Sequence, residues 1–164
     1  MKKTAIKGKK VMLFLTGSAL GNDAVVPLST GLAFSYNVKM VDPETKDDGE
    51  FQVPDEDGDT WEVTNNAQGD VDLDTAKKLV TDYNGFTRVT LTIAEVGNYS
   101  NEGVDQASGG AWAYDSNKAH VSGIGIISNF TITGAVGNKA TVDCTWTGVG
   151  SVTATPATPA NNNA

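Results

Sequence analysis

One cysteine, one histidine and no apolar run longer than five residues restrict what this chain of 164 residues can be. The lone Cys144 rules out an intrachain disulfide framework. It falls on the apolar side of a strand pattern beside Val142 and Trp146, the setting of a packing thiol and not of a nucleophile. The lone His120 would have to serve any Ser-His-Asp or Cys-His mechanism. It lies at the edge of a strand pattern with no nucleophile elbow near any serine, so it reads as structural and no catalytic residue is expected. The five-residue run Val11–Leu15 is too short to cross a bilayer. Basic residues precede it and Ser18, Ala19 and Gly21 follow, as in a secretion signal, but a signal core needs roughly seven to fifteen apolar residues. Lys10–Leu15 reads instead as a strand, apolar on both faces and therefore buried or in an interface. Phosphate-loop and dinucleotide patterns are missing, Gly123-Ile124-Gly125 being too short for either, so no cofactor is expected.

Positive charge is scarce and badly distributed. Five of the twelve basic residues are Lys2, Lys3, Lys7, Lys9 and Lys10, which leaves seven against all twenty acidic residues in the rest of the chain. Such a body does not hold nucleic acid, because phosphate contacts need Lys and Arg. It can still form a surface past which DNA slides without sticking.

What the chain has is alternation. Leu32, Phe34, Tyr36, Val38 and Met40 alternate with polar residues, and so do Val89, Leu91 and Ile93. Trp61 and Val63 mark another strand, and Trp112 with Tyr114 a short one. Near the C-terminus Ile126, Phe130 and Ile132 share one side of a strand, Gly134–Lys139 has turn composition, and Ala140, Val142, Cys144 and Trp146 share one side of the next. That is a hairpin with one buried and one wet face, which needs further strands beneath it. One helix is predicted from Leu73, Ala76, Val80 and Tyr83, spaced to share a face, with Asp72 as N-cap and Asn84-Gly85 as a left-handed stop. The expected architecture is mainly β: an antiparallel sandwich or barrel with one flanking helix. Residues 1–152 form the domain, and 153–164, a Thr-Ala-Pro and Asn tail, are expected to be disordered.

Residues 42–59 hold nine acidic side chains against Lys46 alone. With Pro43, Gly49, Pro54 and Gly58 they read as a long acidic loop, with Phe51–Val53 as a short strand. Loops this long usually have a role, and Asp42, Asp47, Asp48, Asp55, Glu56, Asp57 and Asp59 are the candidate assembly residues. The run Asp55–Asp59 and the alternate carboxylates Asp70, Asp72 and Asp74 could in principle hold a hard cation, but the second set lacks the glycine and the distant Glu of a calcium loop. Solvated loop and cap carboxylates are the reading adopted, with no metal.

Several segments resemble one family. Lys7–Leu15 looks like the opening strand of the major tail tube proteins of long-tailed bacteriophages. Thr45-Lys46-Asp47-Asp48-Gly49 followed by Thr60-Trp61-Glu62-Val63 resembles that family's Lys-Asp then Trp pattern. Val121–Gly150, ending Thr147-Gly148-Val149-Gly150, is similar to its terminal strands. The resemblance implies a β-sandwich with a flanking helix and subunits in rings, usually of six. Strands from neighbours join into an inner barrel, and rings stack into a virion tube through which DNA leaves. It also implies tape-measure, tail-tip and terminator proteins as partners, assembly in the host cytoplasm, and no membrane. The alternative, from composition alone, is a secreted β-sandwich module that binds a carbohydrate or a surface partner.

Overall fold

The computed structural model describes residues 5, 8–41, 55–97 and 112–158. Among the described residues eight strands and one α-helix follow in chain order: β1 (Val11–Thr16), β2 (Ala24–Val25), β3 (Ser29–Val41), β4 (Asp55–Gln68), α1 (Asp74–Asn84), β5 (Val89–Glu95), β6 (His120–Thr133), β7 (Thr141–Gly148) and β8 (Thr153–Thr155). They make one continuous sheet in the order β2-β1-β5-β6-β7-β4-β3, with β8 beside β6. Each pairing is antiparallel.

Strand β6 belongs to two halves of this sheet. Its first part pairs with β5, from His120 opposite Ala94 to Gly125 opposite Val89. Its second part pairs with β7, from Gly125 opposite Gly148 to Thr133 opposite Thr141. The sheet turns over at this strand, so Leu13, Leu15 and Leu91 of one half meet Val63, Val142 and Trp146 of the other in a shared core, which Ala76 and Leu79 of α1 complete. The sheet is not a closed barrel: an open groove of ≈ 450 Å³, lined by Gly8, Val11, Met12 and residues 29–32, separates the start of β1 from the start of β3.

Strand β1 is apolar on both faces for a visible reason. Leu13 and Leu15 enter the main core. Phe14, on the other face, packs with Ala94 and Val96 under Trp112 and Tyr114, its ring 4.8 Å from that of Tyr114. Trp112 and Tyr114 therefore act as a cover, and the expected short strand there reduces to one bridge, Val96 with Tyr114.

Three other expectations change. A bulge between Ile127 and Asn129 inserts Ser128 and shifts the phase of β6. Ile127, opposite Trp146, is buried, and Ile126, opposite Thr147, lies on the other face from Phe130 and Ile132. The buried side of α1 is Thr75, Ala76, Leu79 and Asp82, while Val80 and Tyr83 are exposed. The helix enters through Asp72 and Leu73, both with left-handed backbone angles, and its first turn is capped by the Asp70 carboxylate. That group accepts from the Thr75 hydroxyl at 2.6 Å and the Thr75 N–H at 3.2 Å. At the other end Gly85 stays right-handed and Phe86 takes the left-handed position. Finally Thr153–Thr155, assigned from sequence to the tail, pair with Ser122, Val121 and His120 as β8. They occupy the edge of β6 beyond the end of β7, and Val152 packs on the core; residues 159–164 lie outside the described residues.

Trp61 joins the halves. Its indole Nε1 donates to the Gly150 carbonyl at 2.9 Å, and its ring lies over Gly148 and against Gly123, where an added Cβ would come within 2.7 Å of it. A methyl group at Gly148 would overlap the indole itself. Gly148→Ala is therefore expected to lower stability by about 1–3 kcal/mol, the usual cost of overpacking a tight core, measured as the shift of the urea-unfolding midpoint.

Candidate functional site

The β3–β4 hairpin is longer than the rest of the sheet can support. Strand β7 pairs with β4 only from Glu62 to Gln68, yet β4 begins at Asp55 and pairs with β3 throughout. The segment from Asp55 to Trp61 and its β3 partner thus project as a two-stranded arm, roughly 20 Å long at the strand rise of about 3.3 Å per residue. Of the candidate assembly residues, Asp42, Asp47 and Asp48 lie outside the described residues, as does Phe51–Val53. Asp55, Glu56, Asp57 and Asp59 are not in a loop: they belong to β4, with Asp55 opposite Val41, Glu56 opposite Met40 and Asp59 opposite Val38. The alternation of β3 recruits them as its partner strand, and the Tyr36 hydroxyl donates to the Asp59 carboxylate.

The apolar face of β3 is where sequence and structure part most usefully. Phe34, Tyr36 and Val38 sit on the core side of the sheet but are 39%, 47% and 45% exposed. Phe34 still approaches Trp61, with ring centroids 6.2 Å apart. The core face therefore continues out along the arm with nothing described above it, and an apolar face left open marks a contact surface.

Two strand edges are open as well. Among the described residues no strand pairs with the outer side of β3, which ends the sheet. Strand β5 covers β6 only as far as Gly125, so residues 126–133 of β6 have β7 on one side and no described strand on the other. The two edges bound one four-strand face, β6-β7-β4-β3, and open edges are templates for pairing with another chain. The outer side of that face is mostly polar. Asn129, Thr145, Thr64 and Ala33 form one row and Thr131, Asp143 and Asn66 the next. The hydroxyls interlock, Thr64 Oγ1 lying 3.2 Å from Thr145 Oγ1 and Thr147 Oγ1 2.7 Å from Ser128 Oγ. Asp143 lies in the second row, and Glu62 lies in a further row with Ile126, Thr147 and Ser35.

No known protein family and no curated sequence matches the chain. Solved structures do. A chain from the tail of an empty gene transfer agent (GTA) particle, refined with C6 symmetry, aligns with a TM-score of 0.66 at 12% identity, over 92% of this chain and 99% of that one. The SPP1 tail tube aligns with a TM-score of 0.65 at 11% identity, over 94% of this chain and 81% of that one. The fold is the one seen in the SPP1 tail tube. A chain of the anti-feeding prophage baseplate, six-fold symmetrised, is similar at a TM-score of 0.58 and 6% identity, over 95% of this chain and 98% of that one.

Within this tail-tube fold the titratable residues singled out from sequence have packing roles. His120 lies beside Tyr114, ring centroids 5.7 Å apart, with Nδ1 2.9 Å from the Lys118 carbonyl. Asp70 caps α1 and Asp74 pairs with Lys78 at 3.0 Å. No three His, Cys, Asp or Glu side chains converge as a metal site among the described residues. Sequence reading missed Asp82, which is buried and fastens α1 to the turn after β1: it accepts from the Ser18 hydroxyl and, at 2.9 Å, from the Ala19 N–H. The sequence held no signal for it, because the stripe of Ala76, Leu79 and Asp82 is identified as the buried one only by its packing.

Cys144 is buried opposite Asn65 and Phe130. Burial, reinforced by the charge of Asp82, pushes its thiol far above the ordinary range. In the unfolded chain that thiol ionises above about pH 8.5. The folded chain keeps the proton there, so this contribution is full below that pH and is lost above it, by up to about 1.4 kcal/mol per pH unit. Unfolding free energies of the unsubstituted chain and of Cys144→Ala, taken from about pH 8 upward, should show the steeper alkaline decline in the unsubstituted chain.

Proposed function

We propose that this chain is the subunit of a phage-type tail tube, a structural virion protein whose stacked rings form the conduit for DNA ejection. The observation that carries the reading is the pair of open edges on one four-strand face. Successive strands β6, β7, β4 and β3 alternate in direction, so β3 of one copy meets residues 126–133 of the next in antiparallel sense, the arrangement found everywhere else in this sheet. The contact joins two different surfaces, head to tail, and such contacts close into rings when the rotation permits. Closure leaves no exposed edge. The C6 symmetry of the similar gene transfer agent tail supports six copies per ring.

In such a ring the hydroxyl and amide face turns inward. A lumen for DNA should be even and free of cations that would trap phosphates. The rows of Thr, Ser and Asn, with Glu62 and Asp143 as their charges, meet that requirement. This places few of the body's carboxylates in the lumen and most of them outside it. The acidic arm, including Asp42, Asp47, Asp48, Asp55, Glu56, Asp57 and Asp59, reaches a neighbouring subunit or ring. Tape-measure, tail-tip and terminator proteins are the partners this role requires, with assembly in the host cytoplasm before incorporation into the virion tail.

Two measurements test the reading. Concentrated protein should show rings or hollow rods by negative-stain electron microscopy, and removal of residues 43–53 with a short Gly-Ser link should abolish rods while the thermal transition survives. Rods from the deletion variant would refute the arm's role. Glu62→Lys with Asp143→Lys should still assemble, and its tubes should retain short duplex DNA that unsubstituted tubes release, with retention fading at high salt.

A further inference from the structure

Two buried side chains on adjacent strands carry N–H groups with no acceptor. Asn65 of β4 is 2% exposed and Trp146 of β7 is 0% exposed. Among the described residues neither Asn65 Nδ2 nor Trp146 Nε1 has a hydrogen-bond partner. A bare buried donor costs more than an ordinary hydrogen bond gains, and buried polar groups of folded proteins are nearly always satisfied. Pairing of the open edges with another copy cannot supply the acceptor, because both groups are sealed in the core.

The sheet brings the two groups together. Asn65 lies opposite Cys144, and Trp146 lies two residues further along β7 on the same core face. Diagonal partners of this kind stand roughly 7 Å apart, within reach of long side chains. The amide is oriented from its other side. The Ser29 hydroxyl of β3 donates to Asn65 Oδ1 at 2.9 Å, so the amide oxygen faces β3 and the Nδ2 hydrogens turn toward β7. Backbone acceptors are committed here, because β4 has β3 and β7 beside it and β7 has β4 and β6. The sulfur of Cys144 is only a weak acceptor.

We propose that one internal water accepts from both Asn65 Nδ2 and Trp146 Nε1 and is a permanent part of the core between β4 and β7. Val63, opposite Trp146, and Val142, two residues before Cys144, close the pair in along the two strands, and so dense a setting admits no larger acceptor. A halide would also take two N–H bonds. The carboxylate of Asp82, buried and near enough to Cys144 to oppose ionisation of its thiol, opposes a second negative charge there as well. A neutral acceptor meets no such penalty. The water's own hydrogens are left for Cys144 Sγ and for the second lone pair of a sheet carbonyl, which gives the three or so bonds usual for a buried water. The site belongs to the folded subunit and does not depend on tube formation.

The test is water-selective NMR on the full chain, labelled with nitrogen-15 and kept dispersed. The Trp146 indole N–H and the Asn65 side-chain N–H groups should both show direct cross-peaks to water, with the sign of a long-lived site. Asn65→Leu fills the space with an apolar group of similar size and should abolish the water cross-peak at Trp146, a residue the substitution does not alter. Oxygen-17 relaxation dispersion, which hydroxyl and thiol protons cannot mimic, should count one long-lived water fewer in Asn65→Leu than in the unsubstituted chain. Absence of a water cross-peak at either group in the unsubstituted chain would overturn the proposal, whether or not the variant folds. So would a folded Asn65→Leu chain that keeps the Trp146 cross-peak and the same count of long-lived waters.

Discussion

A backbone N–H or C=O that faces out of a sheet has to find a partner or stay in water, and a long open edge is a standing invitation to pair. Among the described residues this chain carries two such edges on one face, the outer side of β3 and residues 126–133 of β6. Their positions follow from local features. The bulge at Ser128 redirects β6 after its pairing with β5 ends, so the second half of the strand leaves the first half-sheet and begins another. Four strands separate one edge from the other, and an even number of alternating strands presents edges of opposite direction. Copies can then pair with each other as the strands already pair within each copy.

The remaining parts of the fold hold that face in shape. The β2-β1-β5 half backs it, with Leu13, Leu15 and Leu91 filling the space beneath Val63, Val142 and Trp146. Trp61 bridges the halves through its contacts with Gly123 and Gly148 and its bond to Gly150, which is why glycine occupies both close-approach positions. Helix α1 seals the end of the core with Ala76 and Leu79, and the buried Asp82 ties it to the turn after β1. A rigid body of this kind gives each edge a fixed direction.

Much of this was legible in the sequence because strand period is strict. The alternation of β3, β5 and β7 shows directly in Leu32–Met40, Val89–Ile93 and Val142–Trp146, and the two-faced apolar character of Val11–Leu15 correctly implied burial on both sides. Errors arose where a local event broke the period or where the partner was distant. The Ser128 bulge moved Ile126 off the core face. The helix face was misjudged because α1 has two apolar stripes, and only the packing of Ala76 and Leu79 tells which is buried. Asp55–Asp59 read as loop because their composition is polar, while their pairing with β3 made them strand. The open edges could not be read at all, since an edge is defined by what is not paired with it.

Amide hydrogen exchange, compared between dispersed and concentrated assembled protein, tests the central claim most directly. Edge pairing predicts that amides on the outer side of β3 and in residues 126–133 of β6 become strongly protected together on assembly, while those of β7, already paired on both sides, change little. Assembled protein in which both edges exchange as fast as in the dispersed subunit would contradict the account.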